Sequence, residues 1–420
     1  MRLPCFYFRV VLLLGVLWLA VDGAPARAAE APEQLKFVVV VSRHGVRPPT
    51  VPVGELAQYS DQAWPTWDVA PGMLTPHGRA LMVLMGKYYG ERYRAAGLLA
   101  PGPIAEAGTV YATADDSPRA IETAHALSEA IRQVKEAPVD VVAKDYAPAD
   151  RPRLADSAAE AKLQSRALRS RFSDNMPGLV RAYQAQFDDL ATILGKSPDW
   201  IAGPAKGDTG IKPKPTGPLG TASTLVEDLV LEYCEGMPVV GWGRVTREKL
   251  TNVYLLHALQ FDYAERTAAI ARANDSNLAA RILSSLQQAV TGQPVPGALG
   301  PTGTKLAIVG AHDGNIASLG GLLGVTWISD GLPQSPTLPG GALVFELWER
   351  PADQRWFVRG YYIAQTLDQM RSATPLSLQT PPSVSVLALP GATIGTDNES
   401  PLPRFQQGLT QAIDPSRIVR

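Results

Sequence analysis

One apolar segment near the start of the chain constrains the fold more than any other feature. Residues 36–41 read KFVVVV, a β-branched run without polar alternation, which is typical of a strand buried on both faces of a sheet. This run leads directly into Ser42, Arg43, His44 and Gly45. Charged side chains therefore follow the end of a buried strand, where open α/β sheets bind their ligands.

The segments that follow alternate between helical and strand patterns. A helix is predicted to begin at Thr75 and Pro76, a second strand at residues 110–113, a second helix at 118–131 and a third strand at 139–142. This order predicts parallel strands joined by right-handed crossovers. Strand patterns return later, at residues 306–309, 342–347, 356–363 and 384–389.

The region between the two sets of strands has a different pattern. It predicts one helix after another, at residues 176–194, 221–233, 246–273 and 277–290, with a Gly/Pro/Lys-rich surface loop at 202–220. We therefore expect an α/β fold with a mostly parallel sheet flanked by helices, formed by residues 29–154 and 296–420. Residues 155–295 are expected to form an inserted all-helical domain.

The N-terminus is predicted to be a signal peptide. Arg2 and Arg9 precede an uncharged apolar run at residues 10–21, and residues 24–29 (APARAA) carry the small side chains that a signal peptidase recognises. The run is shorter than the ~20 apolar residues that a membrane span needs. We place cleavage after Ala28, which predicts an exported, soluble protein.

Composition agrees with an exported globular protein rather than a nucleic-acid or membrane protein. Lys and Arg total 39 against 40 for Asp and Glu, so no positive field favours nucleic acid. Of the two cysteines, Cys234 alone remains after cleavage, and no intramolecular disulfide is then possible. A chain of this size can rely on a large core, which suits a bacterial periplasm. Cys234 itself is interpreted as a small apolar residue on a helix.

The densest cluster of functional residue types is RHGVRPPT at residues 43–50. Arg43 and Arg47 flank His44, so they would lower the proton affinity of the imidazole and hold an incoming oxyanion between two guanidinium groups. Gly45 lets the backbone turn close to a ligand. The combination suits a phosphate bound beside an imidazole.

A second cluster, AHDGN at residues 311–315, again follows an apolar strand and precedes a helical pattern. Phosphoryl transfer to a histidine needs an acid for the leaving alkoxide, and Asp313 is the candidate. Two simpler interpretations stay open. In the first, His312 is a core histidine whose ring is hydrogen-bonded to a backbone group. In the second, Asp313 is a helix N-cap, a role that is compatible with catalysis.

Arg119 lies near the start of the helix that follows the second strand. A helix N-terminus with an arginine offers an anion both backbone N–H groups and a bidentate fork. Asp115 is placed to hold one of the arginines, or equally to form a turn or a cap.

Together these segments resemble the histidine acid phosphatases, specifically the bacterial periplasmic branch of phytases and glucose-1-phosphatases. The resemblance continues through AWPTW at 63–67, LTP at 74–76, EGMP at 235–238, WGR at 242–244, GG at 340–341, QTL at 365–367 and TPL at 374–376. It implies a phosphoglycerate-mutase-like α/β fold with an inserted helical domain.

The resemblance also implies a role for each site residue. His44 would accept the phosphoryl group as a phosphohistidine, and Asp313 would protonate the leaving oxygen and then activate water. Positioned cations stabilise the transferring group, so neither a metal nor another cofactor is expected. The phosphate oxygens would be bound by Arg43, Arg47, Arg119 and His312, and Thr50, Met237 and Asp115 would belong to the substrate pocket.

Two departures from the phytases concern the substrate. Val51 follows Thr50 where those enzymes usually have a lysine, and Asn274 stands where they have a further basic residue. Both changes remove charge that would contact distal phosphates. The sequence leaves phytate, glucose 1-phosphate and smaller esters open. His257, on a helix face with apolar neighbours, is predicted to be a packed core residue.

The leading hypothesis is a periplasmic phosphomonoesterase that acts on a small-molecule phosphate ester. The alternatives are a phosphotransferase or mutase with the same phosphohistidine, and a non-catalytic inositol-phosphate binder. Asp313 favours hydrolysis, and its presence together with His44 is hard to explain in a mere binder. No nucleic acid, membrane or obligate protein partner is expected.

Overall fold

The computed structural model describes residues 32–106, 108–143, 158–172, 175–197, 217–395 and 397–419. The predicted signal peptide, the predicted boundary at 154/155 and residues 202–216 of the predicted loop lie outside the described residues. Within the described part of the chain, no helix combines the length and apolarity needed to cross a membrane.

The described residues contain one sheet of eight strands, which confirms the α/β class. The strands are β1 (Gln34–Arg43), β2 (Val110–Ala114), β3 (Asp140–Val141), β4 (Leu306–Ala311), β5 (Ala342–Arg350), β6 (Arg355–Ala364), β7 (Ser383–Leu387) and β8 (Ser400–Pro401). Their order is β3-β2-β4-β1-β5-β6-β7, and β8 also pairs with β6.

The sheet has a parallel half and an antiparallel half. The pairs β3–β2, β2–β4 and β4–β1 are parallel, as the alternation of strands and helices predicts. The pairs β1–β5, β5–β6, β6–β7 and β6–β8 are antiparallel. The expected mostly parallel sheet therefore holds for the first four strands, and the sheet as a whole is mixed. A connection as short as residues 351–354, between β5 and β6, permits only an antiparallel pair.

The helices are α1 (Val53–Leu56), α2 (Pro76–Ala95), α3 (Pro118–Arg132), α4 (Ala158–Phe172), α5 (Met176–Ala182), α6 (Gln184–Leu194), α7 (Pro218–Cys234), α8 (Arg247–Ala264), α9 (Ala268–Thr291), α10 (Asp313–Leu323), α11 (Leu367–Arg371) and α12 (Leu402–Ala412). Short 3₁₀ turns occupy Ala57–Tyr59, Gly241–Gly243 and Pro415–Arg417.

Strand β1 lies at the centre of the sheet, and its side chains pack on both faces. Val38 and Val40 belong to an apolar cluster with α2 and α3, whereas Val39 and Val41 belong to a second cluster with α6 to α9. All four valines are fully buried. The unbroken apolar pattern of β1 is therefore explained by helices that cover both faces of the sheet.

The helices α4 to α9 lie between β3 and β4 in the chain, as the change of pattern predicts. The helix expected at 246–273 ends at Ala264, because Thr267 begins a new helix with an extended backbone conformation. That helix, α9, is kinked at Asp275 and also covers residues 277–290, where a separate helix was expected. The helix expected at 176–194 is likewise divided, at Tyr183.

The larger apolar cluster contains residues of β1, β4 and β5 as well as residues of α6 to α9. The helices and the sheet therefore share a core. The division of the chain into an α/β domain and an inserted domain stays a prediction.

Candidate active site

The two sequence motifs meet because β1 and β4 are parallel neighbours. In this pair Arg43 lies opposite Ala311, so the next residues, His44 and His312, leave the sheet side by side. Their ring centroids are 5.6 Å apart, with the rings edge to face. Strand register alone thus brings together two motifs that are far apart in the sequence.

Backbone contacts fix the loop that carries His44. The Nδ1 atom of His44 lies 2.9 Å from the carbonyl oxygen of Gly45, and the Gly45 N–H donates to Thr123 Oγ1 at 3.1 Å. A carbonyl only accepts, so Nδ1 carries the proton and Nε2 has the free lone pair. The loop also lies against the start of α2, where a side chain at Gly78 would collide with the Val46 carbonyl oxygen.

A half-buried carboxylate that was not predicted from the sequence joins the two arginines of the first motif. Glu227, on α7, contacts Nη2 of Arg43, and it accepts from Nη2 of Arg47 at 3.0 Å. Burial alone would raise the pKa of Glu227, but the charges of Arg47 and Arg43 hold it below its ordinary value. Two buried arginines require a counter-ion. An acidic residue within the apolar sequence of α7 could therefore have indicated Glu227 before the structure was known.

Arg43 is 2% exposed and is not among the residues that line the cleft described below. Its guanidinium group contacts Glu227, the carbonyl oxygen of Thr337 and, at 3.0 Å, Oδ2 of Asp313. The structure therefore places Arg43 against the two carboxylates, and Arg47 and Arg119 on the wall of the cleft.

His312 lies between a carboxylate and an arginine. Its Nε2 is 2.7 Å from Oδ2 of Asp115, and its Nδ1 is 3.3 Å from Nη2 of Arg119. An arginine only donates, so Nδ1 accepts and Nε2 holds the proton that is given to Asp115. Asp115 thus holds a histidine rather than one of the arginines. Asp115 also accepts from the N–H of Ser117, the N-cap residue of α3.

Asp313 is the first residue of α10, and its carboxylate faces the arginines. The N-cap is His312, whose N–H donates to Oδ1 of Asn315 at 3.0 Å, so the N-cap interpretation of Asp313 was wrong. Burial raises the pKa of Asp313, but the positive charges of Arg43 and Arg47 bring it well below its usual range. Asp313 is therefore ionised when no anion is bound.

The imidazole of His44 is held neutral. Burial lowers its pKa most, and the positive charges of Arg47 and Arg43 lower it further. His257 is also buried with a lowered pKa, mainly through burial. It packs between Tyr254 and Phe261, which agrees with the predicted core histidine.

These groups lie in or beside one cleft of about 870 Å³. Thr50, Val51 and Asp115 are among its lining residues, whereas Met237 is not. The Met237 carbonyl oxygen instead accepts from Nη2 of Arg371, beyond the far end of α7. Asn274 is buried beside the cleft, and its Nδ2 donates to Glu265 at 2.8 Å.

Three guanidinium groups retain unused donors at this site. The Nε atoms of Arg43, Arg47 and Arg119 are buried and have no hydrogen-bond partner among the described residues. Buried donors in native proteins are normally paired, so an oxyanion with several oxygen atoms suits this cluster.

Comparisons with known proteins agree with this geometry. Phytase AppA of Escherichia coli (strain K12) is 32% identical over 90% of this chain and 93% of its own length. A glucose-1-phosphatase of Salmonella typhimurium (strain LT2) is 28% identical over 95% of this chain and 99% of its own length. The similarity to these two relatives is consistent with a phosphoric monoester hydrolase.

Solved structures give the same result. The phytase of Hafnia alvei in complex with tartrate matches with a TM-score of 0.82 and 31% identity, over 93% of this chain and all of that chain. The same phytase with myo-inositol hexakis sulphate has a TM-score of 0.81. Residues 34–190 and 247–363 match the family described as Histidine phosphatase superfamily (branch 2). The chain therefore belongs to branch 2 of the histidine phosphatase superfamily.

Proposed function

We propose that this protein hydrolyses phosphomonoesters through a phosphohistidine formed at His44. The observation that carries the proposal is the position of a neutral, buried imidazole within a cluster of arginines whose Nε donors are unused. Such a cluster binds the oxygens of a phosphoryl group, while the imidazole attacks its phosphorus atom.

In the first step, Nε2 of His44 attacks the phosphorus atom, and the bond from phosphorus to the leaving oxygen breaks. The carbonyl oxygen of Gly45 keeps the proton on Nδ1, so the reactive lone pair stays on Nε2. Arg47 and Arg119 stabilise the charge that spreads over the phosphoryl oxygens. His312 orients Arg119 through Nδ1, and it donates to phosphate itself only when its ring is doubly protonated.

Asp313 delivers the proton to the leaving oxygen, although its pKa is lowered in the free enzyme. A bound phosphate brings negative charge to the same arginines and so cancels the field that keeps Asp313 ionised. The second pKa of a phosphate monoester is about 6, so at acid pH the substrate arrives with a proton that Asp313 can pass on. Asp313 then removes a proton from the water that attacks the phosphohistidine.

We further propose that the chain is exported to the periplasm with cleavage after Ala28, and that residues 155–295 form a helical domain inserted into the α/β domain. N-terminal sequencing of protein from the periplasmic fraction tests the first point. A mature chain that begins at Ala29 is expected.

The test of the mechanism compares His44→Ala with His125→Ala, a histidine outside the cleft whose Nδ1 contacts the Ala137 carbonyl. His44→Ala should release no phosphate from any ester, whereas His125→Ala should retain activity. Wild-type enzyme denatured during turnover should carry phosphate that is stable to base and labile to acid. Chelators should not change the rate. Substantial hydrolysis by His44→Ala would exclude His44 as the nucleophile.

A further inference from the structure

The segment before β5 lies beside the end of β1, and we call it the brace (residues 336–341, PTLPGG). The Arg43 N–H donates to the Gly341 carbonyl oxygen at 2.9 Å, and the Gly340 N–H donates to the His44 carbonyl oxygen at 3.0 Å. These two bonds continue the antiparallel pairing of β1 with β5 beyond the end of the two strands. The backbone that carries Arg43 and His44 is therefore fixed to the brace.

The brace also contacts the side chain of Arg43. The Thr337 carbonyl oxygen accepts from Nη1 of Arg43, while Nη2 of the same group lies 3.0 Å from Oδ2 of Asp313. Both Arg43 and Thr337 are buried. A guanidinium group is planar and rigid, so the position of the Thr337 oxygen also affects the position of the nitrogen that contacts Asp313.

Two tyrosines from other elements hold the brace. The Thr337 N–H donates to Oη of Tyr254, on α8, at 3.1 Å, and the Leu338 N–H donates to Oη of Tyr362, on β6, at 2.9 Å. Both tyrosines are buried, and neither is among the residues that line the cleft. Burial raises the pKa of both phenols, so they stay neutral at acid to neutral pH.

The carboxylate of Asp313 is oriented by two contacts of different kinds. Its Oδ1 accepts from the Gly314 N–H at 2.8 Å, a contact within its own helix. Its Oδ2 contacts Arg43, which links Asp313 to β1 and to the brace. A general acid must lie within hydrogen-bond reach of the leaving oxygen, and a small displacement of a reacting group lowers the rate. The link through Arg43 therefore bears on proton transfer.

We propose that Tyr254 is a positioning residue for the proton transfer by Asp313. It fixes Thr337, Thr337 fixes the guanidinium group of Arg43, and that group sets the direction of the Asp313 carboxylate. Tyr362 supports the same brace one residue further along the chain. This proposal rests on the phosphatase function proposed above and adds residues that lie outside the cleft lining.

The test replaces the phenol by a phenyl ring of nearly the same shape. Tyr254→Phe leaves the buried Thr337 N–H without its acceptor, which is unfavourable, so the brace is expected to shift. We expect kcat/KM to fall about tenfold for glucose 1-phosphate and less than about twofold for nitrophenyl phosphate, whose leaving group needs no proton. The inhibition constant of inorganic phosphate should change less than about twofold, because Arg47 and Arg119 keep their positions.

The matched control is Tyr89→Phe. Tyr89 is a buried tyrosine of α2 whose Oη has no hydrogen-bond partner among the described residues. Its variant removes the same atom from the core and should change neither ester. Thermal unfolding of both variants checks that each is folded at the assay temperature. Equal effects of Tyr254→Phe and Tyr89→Phe on glucose 1-phosphate would overturn the proposal.

A double variant separates positioning of Asp313 from a general structural role. If Tyr254 acts through Asp313, Tyr254→Phe should change kcat/KM for glucose 1-phosphate less than about twofold when Asp313→Asn is already present. The same loss with and without Asp313→Asn, or the same loss on both esters, would overturn the proposal. A wild type that hydrolyses neither ester would instead contradict the phosphatase function itself.

Discussion

The strand ends that carry His44 and His312 and the helices that carry Ser223 and Gln260 line one cleft, but they are assembled differently. His44 and His312 follow paired strands, whose backbone hydrogen bonds fix the distance between them. Ser223 and Gln260 stand on α7 and α8, which meet through contacts of their side chains, such as that between Ser223 Oγ and Gln260 Oε1 at 3.4 Å. The comparison teaches that the proposed reacting groups are held by the backbone of the sheet, whereas side chains on the helices of the cleft can change with little effect on that arrangement.

The largest expected effect tests the chemistry at the strand ends. Asp313→Asn removes the proposed proton donor, which matters most for a poor leaving group such as a sugar alkoxide. We expect kcat on sugar phosphates to fall by about 10²- to 10⁴-fold and kcat on nitrophenyl phosphate to fall far less. Steady-state kinetics on both esters check this. A uniform loss across leaving groups would make Asp313 a positioning residue.

The next largest effect concerns a buried acid on α7 that lies outside the cleft lining. Burial raises the pKa of Glu232 to about 7, although its Oε2 accepts from the Gly241 N–H. The folded state therefore binds a proton that the unfolded state releases, and stability falls as the pH rises from 4.5 to about 7. At about 1.4 kcal/mol per pKa unit, the loss is roughly 3 kcal/mol.

Glu232→Gln should remove this dependence, because the amide keeps an acceptor for Gly241 and does not titrate. Thermal unfolding at pH 4.5 and pH 7.5 measures the difference, and kcat at acid pH should stay close to that of wild type. A variant with the same pH dependence as wild type would show that Glu232 does not titrate in this range.

A smaller effect tests the support of His312. Asp115→Asn removes the charge that faces Nε2 of His312, so the ring and the Arg119 that it orients are held less firmly. We expect kcat/KM to fall about tenfold to thirtyfold on every ester. Asp116→Asn, at the exposed neighbouring position, is the control and should have no effect. A loss confined to sugar esters would indicate that Asp115 contacts the sugar instead of supporting His312.

The smallest effect tests whether charge can be added to the lining without changing the chemistry. Val51 lines the cleft, and Val51→Lys should lower the KM for inositol hexakisphosphate by about fivefold, since one exposed ion pair contributes about 1 kcal/mol. The KM for nitrophenyl phosphate should not change, and salt should reduce the gain. Equal effects on both esters would mean that position 51 does not contact distal phosphates.

The sequence was most informative where function depends on strand ends. The apolar run of β1 and the motifs around His44 and His312 predicted both the buried strands and their meeting point, because parallel strands place their carboxyl ends at one edge. Helix patterns gave the existence of α2, α3 and α7 to α9 but not their limits. The break before Thr267 was missed because the apolar periodicity continues on both sides of it.

The remaining features depend on packing that no local pattern encodes. Glu227 reaches Arg43 and Arg47 only because α7 packs across the end of β1. Met237, read as part of the pocket, lies three residues beyond the end of α7, away from the cleft lining. The antiparallel pair of β5 and β6 follows from the short connection between them, which was not used in predicting the direction of the sheet.

The apolar cluster shared by the sheet and helices α6 to α9 has a consequence for the step that limits turnover. A hinge motion between the two walls of the cleft would have to expose this cluster to water, at about 25 cal/mol for each Å² of apolar surface. We therefore expect the cleft to keep a nearly constant width while substrate enters and phosphate leaves. Turnover by the proposed mechanism should then follow the rates of its two chemical steps and of phosphate dissociation, and not the rate of a domain motion.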